Sequence, residues 1–554
     1  MFAPAILVLT SLVAVSVCEE DTLIFPNTLK FGVATSSYQI EGAWNVSDKG
    51  INNWDTYVHT HGVSDGNTGD VACDSYHHWS DDVENVAKIG LDFYRFSLSW
   101  SRILPSGFNN HISEDGKRYY NNLIDKLIER GLEPYVTIYH WDLPQPLQDL
   151  GGWANPLISD WFEDYARVVF KLFGDRVKTW ITINEPISVC DGSSTLGIIA
   201  PGNLSPDNVG TYLCTKNVLV AHAKAWRLYD REFRPKFNGQ ISYCNNLFWY
   251  EEKTSEDAEL AELARQHNAG RYSHAVFSKE GGWPPALEKF IAEKSAKQGY
   301  RTSRLPAFTS AEIELVRGTY DFYGMNLYTS RVVSATDQVK RDWFPFADSD
   351  ELNAALTVDP SWTVACNDWI AVHPEGIRRM LVWLKQQYGD IKFLITENGY
   401  PTCKGDDLDL DDQERVDYYR GYLKEVKKAM TLDGVNIAAF TAWSLMDNFE
   451  WMDGYRSKFG LYAVNFSDPH RARSPRKSAY FFAEIIQSRV KVKPQKIHEN
   501  KTASYMWYSF VVVVVLLVVI CSVLVYKIVK RRRTIEEKTV ENITPLMTVQ
   551  SAKE

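Results

Sequence analysis

The chain predicts an α/β fold, a single (β/α)8 barrel of the TIM type with enlarged loops, plus one C-terminal transmembrane helix. Three observations in its 554 residues carry that expectation. Eight β-branched or aromatic runs alternate with amphipathic stretches of helical period. No low-complexity linker, repeat or shift of composition divides the segment from about Phe25 to Ile486, so two separate α/β domains find no boundary. Near the other end, Met506 to Val525 gives twenty consecutive uncharged residues, dense in Val and Leu, enough to cross about 30 Å of hydrocarbon.

The strand-like runs fall at 31–38, 92–99, 134–141, 179–184, 240–245, 321–327, 391–396 and 437–444. Helical patterns lie between them, as at 117–130, 157–173, 213–230, 374–387 and 412–430. A parallel barrel does its chemistry at the C-terminal ends of its strands. Those ends carry Gln39, Arg95, His140, Asn184 with Glu185, Asn326 with Tyr328, Glu397 and Trp443. Polar side chains ending hydrophobic strands are costly unless they have partners or ligands, so their recurrence marks one mouth of the barrel as a site.

Two runs sharpen this. TINEP (182–186) and ITENG (395–399) place Glu185 and Glu397 at the ends of the fourth and seventh strands. A lone strand-end glutamate is usually a cap or an ion pair. Two facing across a barrel mouth can instead divide the work of a glycosidase: one carboxylate attacks a sugar carbon, and one acid protonates the leaving oxygen.

Composition narrows the class. Hydrophobic content of 45% and charged content of 23% are those of a globular protein. The net charge of −10, with no basic stripe outside the C-terminal end, argues against a nucleic-acid partner. No His/Cys/Asp/Glu cluster has metal-ligand spacing, and hydrolysis by two carboxylates needs neither metal nor cofactor. Ala5 to Val17 reads as the core of a secretory signal peptide, expected to occupy residues 1–18. The expected order is then a catalytic domain over 25–488, a stalk over 489–505, a membrane helix over 506–526 and a cytoplasmic tail over 527–554. Lys527, Lys530 and Arg531 to Arg533 follow the span as a cytoplasmic anchor. The expectation is a single-pass type I membrane protein with its catalytic domain extracellular or lumenal. Six of the eight cysteines would lie outside, with fifteen pairings open to them. Asn45, Asn203, Asn465 and Asn500 begin glycosylation sequons on that side.

The runs FGVATSSYQIEGAW (31–44), YRFSLSWSRILP (94–105), YHWDLPQPL (139–147), TINEP, GMNLYTSR (324–331), ITENG and WSLMDNFEWMDGYRSKFGLY (443–462) stand in one order along the chain. Together they resemble glycoside hydrolase family 1, the β-glucosidase-like family, and most of all its membrane-anchored animal members, including lactase-like, klotho-related proteins. The resemblance implies a retaining hydrolase of terminal β-D-glucosides, with galactosides or fucosides also open. It makes Glu397 the nucleophile and Glu185 the general acid/base, and makes Arg95, Tyr328 and Asn326 the nucleophile's supports. It further implies sugar binding by Gln39, His140, Asn184, Trp443, Glu450 and Trp451. An anionic Glu450 at the far end of the sugar pocket would disfavour 6-phosphorylated sugars. Lys458 stands where many relatives carry Arg. Two other readings remain at this stage: a catalytically silent, klotho-like co-receptor, and a thioglucosidase. Intact Glu185 and Glu397 weigh against the first, and Glu185 favours O-glycosides over the second. Oligomeric state is not legible.

Overall fold

The computed structural model describes residues 23–192, 200–202, 208–336, 349–404, 408–490, 516–517 and 519–535. Nine strands form the main sheet among them: β1 (Lys30–Ala34), β2 (Phe93–Ser97), β3 (Glu133–Tyr139), β4 (Thr179–Asn184), β5 (Gln240–Glu252), β6 (Tyr323–Ala335), β7 (Ala354–Thr357), β8 (Phe393–Asn398) and β9 (Ile437–Trp443). They pair in the order β5-β4-β3-β2-β1-β9-β8-β6-β7, and a further β5–β6 pairing closes the ring. The eight strands other than β7 pair in parallel, whereas β7 lies antiparallel on the outer half of β6. This is the expected (β/α)8 barrel.

The barrel's lower interior is filled by Phe93, Tyr135, Ile181, Cys244, Phe322, Leu394 and Ala439, all buried. Phe93 and Tyr135 stack there with centroids 4.0 Å apart. The opposite position on β1 must be glycine, because a Cβ on Gly32 would stand 2.2 Å from the Phe93 ring. This apolar plug seals one end of the barrel and leaves the other, where the polar strand ends gather, to form a site.

Helices were expected at nearly the observed bounds, for instance Ile158–Phe173 and Gln413–Thr431. Strand limits differ more. The first strand ends at Ala34 rather than 38, and a helical turn, Ser37–Ile40, follows and carries Gln39. Small hydroxyl residues end the ladder by bonding elsewhere. Ser97 Oγ accepts from the Ser37 amide at 2.7 Å, and Ser36 Oγ donates to Gln39 Oε1 at 2.7 Å. β5 and β6 run past their expected ends as a pair, Trp249 to Glu252 opposite Ser330 to Val333, beyond a register break.

Cys190 bonds Cys214 and Cys366 bonds Cys403, while Cys73 and Cys244 are buried thiols. The Asn45 sequon is exposed and that of Asn465 half-buried; Asn203 and Asn500 lie outside the described residues. The chain divides into two units, Met1–Val490 and Lys491–Glu554. Arg489 and Val490, expected in the stalk, belong to the first. Arg489 Nη1 donates to Asp92 Oδ2 at 2.6 Å, and the Val490 amide donates to Phe25 O at 3.0 Å. In the second unit, residues 519–535 are helical. The expected signal peptide and most of the expected span at 506–526 lie outside the described residues. Among the described residues, no helix is long and apolar enough to cross a membrane.

A buried pair fixes the segment after β9. Arg476 grips Asp447 through two bonds of 2.7 and 2.8 Å, and Asp447 also accepts from the Gly460 amide at 3.0 Å. Asp447→Ala takes the direct ion-pair partner from buried Arg476 and leaves it only carbonyl acceptors in contact. It should lower stability by about 3–5 kcal/mol, seen as an earlier midpoint in urea unfolding.

Candidate active site

The strand ends converge on a pocket of about 480 Å³ lined by Glu185, Glu397, His140, Trp141, Asn184, Trp443, Glu450 and Trp451, with Trp369, Met452 and Phe459 further out. Arg95, Asn326 and Gln39 are not among the lining residues and work through those that are. Register breaks occur in the β4–β5, β6–β8 and β8–β9 pairings beside the two glutamates, re-aiming side chains near the rim. Trp141, Glu185 and Trp451 hold left-handed φ values of 79°, 46° and 52°. Such strain, of order 1–3 kcal/mol each, persists only where surrounding packing over-determines it.

Arg95, in the middle of β2, is buried. Its Nε donates to Thr137 Oγ1 at 3.2 Å, and its Nη1 to Thr396 O at 2.8 Å and Glu397 Oε1 at 2.5 Å. Its Nη2 donates to Asn184 Oδ1 at 2.7 Å. The other oxygen of Glu397 accepts from Tyr328 OH at 2.7 Å. Glu185 has no cation in direct contact among its described bonds. Asn326 Nδ2 donates to its Oε1 at 2.7 Å, and Ser188 Oγ donates to its Oε2 at 2.7 Å, with Asn246 Nδ2 at 3.3 Å from the same oxygen.

The His140 ring lies near-parallel to Trp443 and to Trp451, with centroids 5.9 and 6.0 Å away. Its Nε2 lies 2.9 Å from Asn184 Nδ2. Asn184 Oδ1 already accepts from Arg95, so Nδ2 is the donor to His140, and the imidazole proton belongs on Nδ1. Burial, then the charge of Arg95, drives the His140 pKa well down, so the ring is neutral. Gln39 Nε2 reaches Asn448 Oδ1 at 2.9 Å, Phe449 O at 3.1 Å and Glu450 Oε2 at 3.2 Å.

Residues 21–491 match the family described as Glycosyl hydrolase family 1. The chain belongs to glycosyl hydrolase family 1. It is 46% identical over 470 residues to myrosinase 1 of Brevicoryne brassicae, covering 84% of this chain and 98% of that protein. It is 41% identical over 471 residues to the cytosolic beta-glucosidase of Homo sapiens, covering 84% and 98%. Among solved structures, aphid myrosinase matches with a TM-score of 0.80 at 44% identity, over 84% of this chain and 100% of that one. A rice β-glucosidase in covalent complex with glucose matches with a TM-score of 0.77 at 33% identity, over 83% and 98%.

In this family 1 hydrolase the two glutamates are electrically unlike. Burial, then the neighbouring Glu397 charge, pushes Glu185 up to about 8. Burial raises Glu397 as well, but Arg95, Tyr328 and Asn326 all pull it back. At neutral pH the shared proton therefore sits on Glu185 and the shared charge on Glu397. Glu450 shares the desolvated setting of the pair. Burial, then Asp453 and Glu397, drives its pKa well above the usual carboxylate range. The same carboxyl is held by Gln39 Nε2 at 3.2 Å.

Sequence reading found both glutamates and their main supports but missed Ser188, Asn246, Thr396 and Cys244. Ser188 stands one helical turn after Glu185, a spacing that gave the signal. Asn246 was hidden because the fifth strand was ended one residue short of it. Thr396 Oγ1 donates to Asn326 Oδ1 at 2.6 Å, and Cys244 Sγ lies 2.9 Å from Asn184 Oδ1, contacts visible only in three dimensions.

A reaction needing Glu397 ionised and Glu185 protonated should give a bell-shaped profile of kcat/KM, its alkaline limb near pH 8 as Glu185 loses its proton. Tyr328→Phe removes a donor to the Glu397 carboxylate. It should move the acid limb upward and reduce kcat/KM roughly tenfold or more. An acid limb that stays in place would separate Tyr328 from the charge on Glu397.

Proposed function

We propose that this retaining β-glycosidase hydrolyses neutral terminal β-D-glucosides through a covalent intermediate on Glu397, with Glu185 as acid and then base. The observation that carries the assignment is the unequal surroundings of the pair: a guanidinium and a phenol on Glu397, neutral amides and a hydroxyl on Glu185. In the first step a Glu397 oxygen bonds to the anomeric carbon, the glycosidic C–O bond breaks, and the Glu185 proton goes to the departing oxygen. Esterification removes the negative charge that raised Glu185, which then takes a proton from water as the water oxygen bonds to the same carbon. The Glu397–carbon bond breaks and the sugar leaves with its configuration retained. Arg95 and Tyr328 hold Glu397 in line and ionised. His140, Asn184, Trp443, Trp451 and Glu450 form the glycone subsite, with Gln39 acting through its bond to Glu450 and the tryptophans offering flat faces to the sugar ring.

Glucose is the favoured glycone on the strength of the β-glucosidases among the relatives, the rice enzyme being held in covalent complex with glucose. The similarity to an aphid myrosinase, at 46% identity, supports a second reading, cleavage of thioglucosides. In either case the uncharged run at Met506–Val525 and the apolar run at Ala5–Val17 support a membrane tether with the catalytic domain outside the cytoplasm.

Incubation of the full-length protein in detergent with a 2-deoxy-2-fluoro-β-glucoside should label the peptide containing Glu397, read by mass spectrometry. A label on another residue, or none with no hydrolysis of aryl β-glucosides, removes the proposal and favours a non-catalytic co-receptor. Glu185→Ala should slow poorly activated O-glucosides by about 10²–10⁴ while sparing dinitrophenyl glucosides, with azide restoring turnover. Paired O- and S-glucosides of one aglycone decide between the two readings: a thioglucosidase keeps the S-substrate when Glu185 is replaced.

A further inference from the structure

The bonds around Glu185 locate its proton on one oxygen. Arg95 can only donate, so Asn184 Oδ1 is an acceptor. Asn326 Nδ2 donates to that oxygen at 3.2 Å and to Glu185 Oε1 at 2.7 Å, leaving Asn326 Oδ1 to Thr396 Oγ1 at 2.6 Å. An amide N–H can only donate. Among the described bonds Oε1 has no neighbour able to accept a hydrogen, whereas Oε2 has the Ser188 hydroxyl, so the carboxyl hydrogen belongs on Oε2. That oxygen has two near neighbours, Asn246 Nδ2 at 3.3 Å, which can only donate, and Ser188 Oγ at 2.7 Å. Of these, the hydroxyl alone can both accept and donate.

We propose that Ser188 is the positioning residue for the Glu185 proton. Its hydroxyl accepts the Oε2 hydrogen in the resting enzyme, then turns to donate to the same oxygen once that hydrogen has gone to the leaving group. Ser188 keeps its own proton throughout, and no bond to it is made or broken. The inference rests on the reading of Glu185 as acid/base. Placement suits the role. The Ser188 amide donates to Glu185 O at 2.9 Å, and the side chain is buried yet borders the pocket. The turn Ser188–Gly192 is tied covalently to the helix Val209–Leu228 by Cys190–Cys214, which prevents the hydroxyl from drifting. A bond to the charged carboxylate is stronger than one from the neutral acid. On balance Ser188 therefore favours the ionised form, and its loss should raise the Glu185 pKa.

The experiment compares kcat/KM against pH for the wild type, Ser188→Ala, Ser188→Thr and Glu185→Ala, all full-length in detergent, on one aryl β-glucoside. The expected result is an alkaline limb shifted upward by roughly half a pH unit in Ser188→Ala and returned to the wild-type position by Ser188→Thr, which restores the hydroxyl. A limb that is lost in Glu185→Ala but unmoved in Ser188→Ala overturns the role of Ser188 alone, as does a shift that threonine fails to reverse. A limb that survives Glu185→Ala overturns the acid/base reading and the proposal with it.

Discussion

Arg95 is the interaction on which the rest of the site depends. A guanidinium cannot be left buried without acceptors, and here Thr137, Asn184, Thr396 and Glu397 surround it. Those residues come from β3, β4 and β8, so one cation on β2 measures the barrel's interior and fixes three strand ends at once. The same charge sets the chemistry. It opposes the burial that raises Glu397, it helps keep His140 neutral, and through Asn184 it decides which imidazole nitrogen carries the proton. Glu185 receives less of that field, and the asymmetry of the pair follows.

Support for the site is layered by rigidity. Beneath it lies the aromatic plug around Phe93 and Tyr135, which excludes water from the lower barrel. Around it stand the strained residues Trp141, Glu185 and Trp451, held left-handed by their neighbours. The segment carrying Glu450 and Trp451 is anchored by Arg476 and Asp447, and the turn carrying Ser188 by Cys190–Cys214. Each side chain that would touch sugar is thus carried on a strand end or on a loop pinned by a buried ion pair or a covalent bond. Such pre-organisation lets hydrogen-bond donors act on charge as it develops, with little reorganisation.

Much of this was legible beforehand, because the signals were local. Strand periodicity located eight barrel strands, six of them ending within four residues of the observed ends, and the motif residues Glu185, Glu397, Arg95 and Tyr328 do meet. Errors arose where pairing or burial overrode local preference. The first strand stopped early as Ser36 bonds the Gln39 side chain and Ser97 Oγ takes the Ser37 amide, and β5 and β6 lengthened because each supplied the other's ladder. The charge of Glu450 is written in the sequence, whereas the burial that raises its pKa is not.

The sequence by itself determined the fold class, the family and the two carboxylates, since hydrophobic period and residue identity are properties of short windows. It also carries the expectation of a membrane tether, in residues that lie mostly outside those described. Only the tertiary structure decided the cysteine pairing, the place of Ser188, Asn246 and Thr396 near Glu185, and the unequal surroundings of the two glutamates. These depend on distance and dielectric between residues far apart in the chain, and a pKa shift is the sum of such terms.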